Sequence, residues 1–203
     1  MHGEIFVITA PSGTGKTTLL KALMAGDPRL RFSISYTTRP PRPGEIDGQD
    51  YFFVSPEEFR RLQEAGALVE WVEQFGYEYG TSRKWIFEEV ESGADLVFDL
   101  DSRGAAALKA DFPQATLVFI LPPSLTELER RLTERGNLSP DELNRRLANG
   151  RAELQEVERY DYLVINDDIP AALARLKAIV QAARCRTSQI WPQLASRYWG
   201  NSP

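Results

Sequence analysis

A short stretch near the N-terminus carries the densest chemistry of the sequence. Residues 10–17 read Ala-Pro-Ser-Gly-Thr-Gly-Lys-Thr, which is the phosphate-binding pattern G-x-x-x-x-G-K-[ST] with alanine in place of the first glycine. Gly13 and Gly15 let backbone N–H groups approach a polyphosphate that bulkier residues would block. Lys16 is placed to reach the β- and γ-phosphates, and the Thr17 hydroxyl to ligate Mg²⁺. An ordinary glycine-rich turn between a strand and a helix is the alternative interpretation.

The elements around this stretch are those that a phosphate site needs. The apolar run Ile5–Ile8 predicts a buried strand just before it, and the pattern Thr17–Met24 predicts a helix just after it. The first turn of that helix would add unpaired N–H groups and the positive end of the helix dipole. The context therefore favours a phosphate loop.

The remainder of the chain alternates short apolar runs with helical patterns, which predicts an α/β fold with a parallel sheet and helices on both faces. Further buried strands are predicted at Leu96–Leu100, Thr116–Leu121 and Tyr162–Ile165. Helices are predicted to follow them at about 102–109, 125–134 and 170–184.

Two segments interrupt this alternation. Segment 33–84 contains aromatic or alternating runs around one helix, whose start is marked by a capping box of Ser55 and Glu58. It reads as a small α/β insert. Segment 125–159 is rich in arginine, and Gly136 separates its two helical patterns, which suggests a mobile helical lid. The predicted division is a core at 1–32, 85–124 and 160–184, an insert at 33–84, a lid at 125–159 and a tail at 185–203.

Composition limits the setting of the protein. The chain has 203 residues, 42% of them hydrophobic, and a net charge of −5, so the charge balance suggests no nucleic-acid or membrane partner. A single cysteine, Cys185, fits a reducing compartment, and no signal peptide or membrane span is apparent. We expect a cytoplasmic protein that is either a monomer or a homo-oligomer. We expect the tail, with Trp191, Tyr198 and Trp199, to pack against the body or to serve self-association.

A second group of candidate residues lies in the insert. Arg39 and Arg42 stand three residues apart in a proline-rich stretch, so an extended polyproline conformation would project both guanidinium groups from one face. Two such forks suit a doubly charged phosphate. Glu70 is a carboxylate within an apolar run. A solvated basic loop and an outward-facing strand glutamate are the alternative interpretations.

The stretch 37–53, TTRPPRPGEIDGQDYFF, strongly resembles the signature of the guanylate kinase family. The phosphate loop, Glu70-Trp71, Tyr79-Gly80-Thr81 and Asp99-Leu100-Asp101 are similar to the family as well, and the similarity covers about residues 3–182. The resemblance implies a P-loop NTPase-type core, a monophosphate-binding insert and a helical lid. It also implies Mg²⁺-dependent transfer of a phosphoryl group from ATP to GMP or dGMP.

The resemblance implies roles for individual positions. The guanine base and its surroundings fall to Ser35, Glu70, Thr81 and Asp101, and the monophosphate to Arg39, Arg42, Tyr51 and Tyr79. The lid arginines Arg135 and Arg146 would close on the transferring phosphates, and Asn166 would lie near the adenine. The remaining expected ATP contacts are Ala10, Pro11, Ser12, Gly13, Thr14, Gly15, Lys16, Thr17 and Thr18. Lys16, Arg39, Arg42, Arg135 and Arg146 are expected to be catalytic, with Thr17 as the Mg²⁺ ligand.

Two alternatives and two departures accompany this interpretation. A kinase for a phosphorylated sugar would share the fold, and a silent binding module would keep the fold without the chemistry. The presence of Lys16, Arg135 and Arg146 argues against the silent module.

Ser102-Arg103 and Gly150 depart from the family pattern. Arg103 would either face solvent or alter the surroundings of the base site, and Gly150 would mark a bend in a lid helix.

Overall fold

Within residues 2–74, 76–134 and 139–199, which the computed structural model describes, five parallel strands form the central sheet. They are β1 (Ile5–Thr9), β2 (Leu30–Phe32), β7 (Asp95–Asp99), β8 (Thr116–Leu121) and β9 (Tyr162–Ile165). Their spatial order is β2-β7-β1-β8-β9, so the strand that leads into the phosphate loop lies at the centre. The short strand β2 was not predicted from the sequence.

Helices cover both faces of this sheet, as predicted. One face carries α1 (Lys16–Ala25) and α7 (Ile169–Arg184), and the other carries α3 (Arg83–Glu91) and α4 (Ser102–Asp111). Successive side chains of a strand point to opposite faces. Phe6 and Ile8 of β1 accordingly pack with α1 and α7, whereas Ile5 and Val7 pack with α3 and α4. The α/β fold class is therefore confirmed.

A second, smaller sheet lies in the insert. Its strands are β3 (Tyr36–Thr37), β4 (Phe52–Phe53), β5 (Leu68–Gln74) and β6 (Tyr77–Ser82), in the order β4-β3-β6-β5. Helix α2 (Pro56–Glu64) packs on it through the fully buried Phe59. The predicted cap is present, because Ser55 Oγ accepts a hydrogen bond from Glu58 N at 3.1 Å.

Two helices form the arginine-rich segment, α5 (Leu125–Glu134) and α6 (Pro140–Leu154). Serine side chains cap both helices, since Ser124 Oγ accepts from Glu127 N and Ser139 Oγ accepts from Glu142 N. A short 3₁₀ turn at Val157–Arg159 leads from α6 toward β9. Gly136, the expected hinge, lies outside the described residues.

Gly150 is buried inside α6, which runs without interruption around it. A Cβ atom built there would lie 3.3 Å from Leu128 Cδ2 and 3.4 Å from Pro11 Cβ. The missing side chain thus lets α6 approach both α5 and the phosphate loop closely. Close packing explains this glycine in place of the expected bend.

The tail is helical, α8 (Thr187–Trp199), and is held to the body at its start. Arg186 donates to Gln114 O at 3.0 Å and to Thr116 Oγ1 at 2.8 Å. Trp191, Tyr198 and Trp199 contact one another and are 40%, 67% and 69% exposed, so their expected role in packing or self-association stays a prediction. No helix in the described part of the chain has the length and apolar character needed to cross a bilayer.

Candidate active site

The phosphate loop joins β1 to α1 at the carboxyl edge of the central sheet. Gly13 and Gly15 have φ angles of 95° and 92°, a region that L side chains rarely adopt. A Cβ atom on Gly13 would also lie 2.8 Å from Leu132 Cδ2, and one on Gly15 would lie 2.6 Å from Asn166 Nδ2. Both conformation and space therefore require glycine. The loop residues 10–17 line a cavity of about 340 Å³ together with Leu100, Asp101 and Glu153.

Lys16 begins α1 and forms an ion pair with Asp99, the last residue of the neighbouring strand β7. The two side chains meet because β1 and β7 are adjacent parallel strands whose carboxyl ends share one edge. Thr17 and Thr18 follow in the first helical turn and are exposed. Hydroxyl and carboxylate oxygens thus stand beside a lysine at the start of a helix.

Asn166 fixes the shape of the loop from the far side. It is 2% exposed, and its Nδ2 donates to Thr14 O at 2.6 Å. Arg131 of α5 adds two contacts, from Nη1 to Thr14 O at 3.3 Å and from Nη2 to Asn166 O at 3.0 Å. Gly13, Gly15, Arg131, Asn166 and Ile169 lie among the walls of a second cavity of about 340 Å³, open beside the loop.

Arg146 of α6 reaches the loop from the lid segment. Its Nη1 donates to Ser12 Oγ at 3.0 Å, and its Nε donates to Glu142 Oε1 at 2.8 Å. One predicted lid arginine is therefore in contact with the phosphate loop. The other, Arg135, lies outside the described residues.

Arg39 is a buried cation of the insert, and its guanidinium group makes several contacts. It is 8% exposed, donates from Nη1 to Pro40 O and from Nη2 to Glu45 Oε1, each at 2.8 Å, and lies 5.3 Å from the centre of the Tyr51 ring. The hydrogen bond that Arg39 donates to Glu45, with smaller contributions from the charge of Glu45 and from Tyr79, raises the pKa of Arg39 above its usual value. The guanidinium group is thus held in place among an acid and aromatic rings.

The other predicted monophosphate residues lie around Arg39. Tyr51 and Tyr79 are in edge-to-face contact with ring centres 6.0 Å apart. Arg42 is exposed, and its backbone N donates to Glu45 Oε2 at 2.7 Å, so Glu45 contacts both arginines. Ser35 is partly buried, and its carbonyl accepts a hydrogen bond from Phe52 N between β4 and the chain before β3.

Glu70 lies opposite Thr81 in the pair of strands β5 and β6, where a register shift between Leu68 and Glu70 indicates a β-bulge. Such irregularities re-aim side chains. Thr81 Oγ1, fully buried, donates to Glu70 Oε1 at 2.5 Å. Burial raises the pKa of the Glu70 carboxyl, the Thr81 hydrogen bond opposes that shift, and the charge of Asp101 adds to it.

Asp101 connects the insert side to the phosphate loop. Its Oδ1 caps α4 by accepting from Gly104 N at 2.9 Å, and it lines the loop cavity. It also lines a larger cavity of about 560 Å³, together with Ser102, Arg103 and Glu153. Arg103 is exposed at the wall of this cavity, so it faces solvent while standing next to the predicted base site.

Sequence reasoning missed several residues of this site. Asp99 could have been found as an acid at the carboxyl end of a strand beside the loop strand. Arg131 is four residues before the predicted Arg135 and was overlooked because its partners are distant backbone carbonyls. Glu45 carries no signal beyond its place next to the paired arginines.

Comparisons with known proteins agree with this architecture. Residues 2–183 match the family model described as guanylate kinase. A guanylate kinase of Dechloromonas aromatica is 49% identical over 183 residues, covering 90% of this chain and 91% of that protein. One from Shewanella oneidensis is 47% identical over 194 residues, covering 95% and 94%.

A solved structure extends the comparison to three dimensions. The crystal structure of a guanylate kinase from Anaplasma phagocytophilum has a TM-score of 0.70 and 32% identity, covering 97% of this chain and 96% of that one. Sequence, fold and loop geometry all agree. The chain therefore belongs to the guanylate kinase family, whose activity is the ATP-dependent phosphorylation of GMP.

Proposed function

We propose that two groups of residues divide the phosphorylation of GMP by ATP between them. The donor group is the phosphate loop, residues 10–18, with Lys16 at the outer phosphates. Asn166 and Arg131 form the wall of the cavity beside the loop, where the adenosine part of ATP fits. The contacts of Asn166 and Arg131 with Thr14 O support this assignment, because they tie the adenosine cavity to the loop's backbone.

The acceptor group lies in the insert, and Glu70 is the residue on which the proposal depends most. Guanine presents its N1–H and 2-amino group as adjacent donors, and one carboxylate can accept from both. Adenine has an acceptor at N1 and no 2-amino group, so it would leave the partly buried Glu70 with no donor besides Thr81. Mismatches of this polar kind discriminate by roughly 10⁴ or more. Ser35, Thr81 and Asp101 complete the base site.

Arg39, Arg42, Tyr51 and Tyr79 hold the monophosphate of GMP. The observation that supports this is the buried guanidinium of Arg39, already fixed by Glu45 and stacked near Tyr51. A preorganised guanidinium loses little entropy when it binds a phosphate. Arg42 is exposed beside it and adds a second cation.

The start of α1 and the end of β7 together offer oxygen ligands for a magnesium ion. Thr17 offers a hydroxyl oxygen and Asp99 a carboxylate oxygen, and Mg²⁺ favours a few such ligands completed by water and substrate phosphates. When bound, the ion would neutralise charge on the ATP phosphates. Lys16 would then exchange Asp99 for those phosphates, which frees the Asp99 carboxylate.

The transfer itself needs alignment and neutralisation of charge more than covalent work by the protein. An oxygen of the GMP phosphate is already a competent nucleophile, so no residue is assigned as a general base. Two anionic phosphates repel until cations surround them. Lys16 acts from the donor side, Arg39 and Arg42 from the acceptor side, and Arg146, with Arg135, from the lid.

The test is ADP formation from ATP and Mg²⁺ with five acceptors offered separately: GMP, AMP, UMP, CMP and ribose 1,5-bisphosphate. Strong turnover with GMP alone is expected. In Glu70→Ala, GMP turnover should fall steeply while ATP binding is retained. Turnover of the sugar phosphate, or undiminished GMP turnover in Glu70→Ala, would contradict the assignment of the base site.

A further inference from the structure

Glu153 is a carboxylate that the mechanism above does not use, although it stands at the centre of the site. It lies in the last turn of α6, seven residues after Arg146, so both side chains lie on the same helix face. Among the described residues, Glu153 and Asp101 alone line both the cavity over the phosphate loop and the larger cavity beside α4. Glu153 therefore marks the passage between them.

One oxygen of this carboxylate is unsatisfied. Glu153 Oε2 is buried, and no donor within the described part of the chain makes a hydrogen bond to it. Burial raises the pKa of the Glu153 carboxyl, with the charge of Lys16 opposing the shift and that of Asp101 adding to it. A buried acceptor without a hydrogen-bond donor costs free energy. A bound ligand with a donor group would remove that cost at Glu153.

The chemistry of the surroundings limits what that ligand group can be. A phosphate would be repelled by Glu153 and Asp101 together. A hydroxyl group is neutral, can donate, and fits beside two carboxylates. The place between the phosphate loop and the base-side residue Asp101 is where the sugar of the acceptor nucleotide must lie, if its base is at Glu70 and its phosphate faces the loop.

We infer that Glu153 accepts a hydrogen bond from a ribose hydroxyl group of the acceptor nucleotide and so determines specificity for the sugar. The inference rests on the acceptor site proposed above. Because Glu153 is carried by the same helix as Arg146, the contact would also link recognition of the acceptor to the position of the lid. Gly150 supports this arrangement, since it brings α6 against Pro11 and Leu128.

The test compares GMP, 2′-deoxy-GMP and 3′-deoxy-GMP as acceptors by kcat/KM. The wild type should disfavour one deoxy analogue by roughly tenfold to a hundredfold, the usual worth of a hydrogen bond to a charged group. Glu153→Ala should lose about the same factor for GMP and nothing for that analogue, which removes the discrimination. Glu153→Gln keeps an acceptor oxygen and should retain part of it.

Glu156→Ala is the matched control, because Glu156 lines only the larger cavity and is paired with Arg159. It should keep the discrimination of the wild type. Equal use of all three acceptors by the wild type, or equal losses for all three in Glu153→Ala, would overturn the inference. Failure of the acceptor site itself would differ, because GMP turnover would then not respond to Glu70→Ala.

Discussion

Removal of the Asn166 side chain tests how the phosphate loop is held. In Asn166→Ala, Thr14 O loses its hydrogen bond of 2.6 Å and keeps only the longer contact of 3.3 Å from Arg131. Thr14 is fully buried, so its carbonyl depends on these two donors. A buried carbonyl left without a good partner costs about 1–3 kcal/mol. We expect the free energy of unfolding to fall by that amount.

The same change should weaken ATP binding more than GMP binding. The Thr14–Gly15 peptide belongs to the loop that receives the ATP phosphates, whereas the acceptor residues lie in the insert. If about 1.4 kcal/mol of the loss reaches the bound state, the KM for ATP rises about tenfold. The KM for GMP at saturating ATP should stay within about twofold.

Urea unfolding and steady-state kinetics measure both effects, with Asn149→Ala as the control. Asn149 is exposed on α6, and its truncation should change the free energy of unfolding by less than about 0.5 kcal/mol. If Asn166→Ala were as stable as this control and had an unchanged KM for ATP, the assigned role of Asn166 would be refuted.

Three further perturbations probe other parts of the account. Thr81→Val removes the hydrogen bond that lowers the pKa of Glu70, so that pKa should rise further. Because the ionised carboxylate is required, the acidic limb of the kcat/KM profile for GMP should move to higher pH in the variant. GMP itself titrates identically in both assays, so it cannot cause a difference between the two proteins. An acidic limb that does not move would contradict the role of Glu70. Arg184→Met leaves the fully buried Asp95 without its closest cation, so the free energy of unfolding in urea should fall by about 3–5 kcal/mol. The control is Arg175→Met, which removes an exposed ion pair and should lower the free energy of unfolding by about 1 kcal/mol or less. Equal decreases in the free energy of unfolding for the two variants would contradict the larger contribution assigned to the buried pair. Joint binding of ATP and GMP should reduce the radius of gyration measured by X-ray scattering as insert and lid close, and no contraction would refute closure.

The central sheet was largely predictable because its strands are continuous apolar runs. Thr116–Leu121 and Tyr162–Ile165 agree residue for residue with the predicted bounds, and β1 and β7 differ only at their ends. Strand β2 has three residues, two of them exposed, so it lacks the pattern that identifies a buried strand. Helix α3 was not predicted from the sequence because it directly follows the last strand of the insert.

The candidate site was predicted unevenly for similar reasons. The phosphate loop is a local pattern, and local spacing is visible in the sequence. The ion pair of Lys16 with Asp99, by contrast, joins residues on different strands, and the unpaired oxygen of Glu153 depends on where α6 comes to lie. Such relations arise only from tertiary packing. The roles assigned to all the candidate site residues, among them Ser35, Arg42 and Arg135, stay predictions.

The most direct test of whether Glu70 recognises the guanine base is a comparison of GMP with IMP. The base of IMP keeps the N1–H group but lacks the 2-amino group. Binding of both should be measured by calorimetry in the wild type, in Glu70→Ala and in Glu73→Ala, whose side chain is exposed on the same strand. The account predicts that the wild type and Glu73→Ala bind GMP roughly tenfold to a hundredfold more tightly than IMP. In Glu70→Ala that difference should disappear. A preference for GMP that survives in Glu70→Ala would contradict the account.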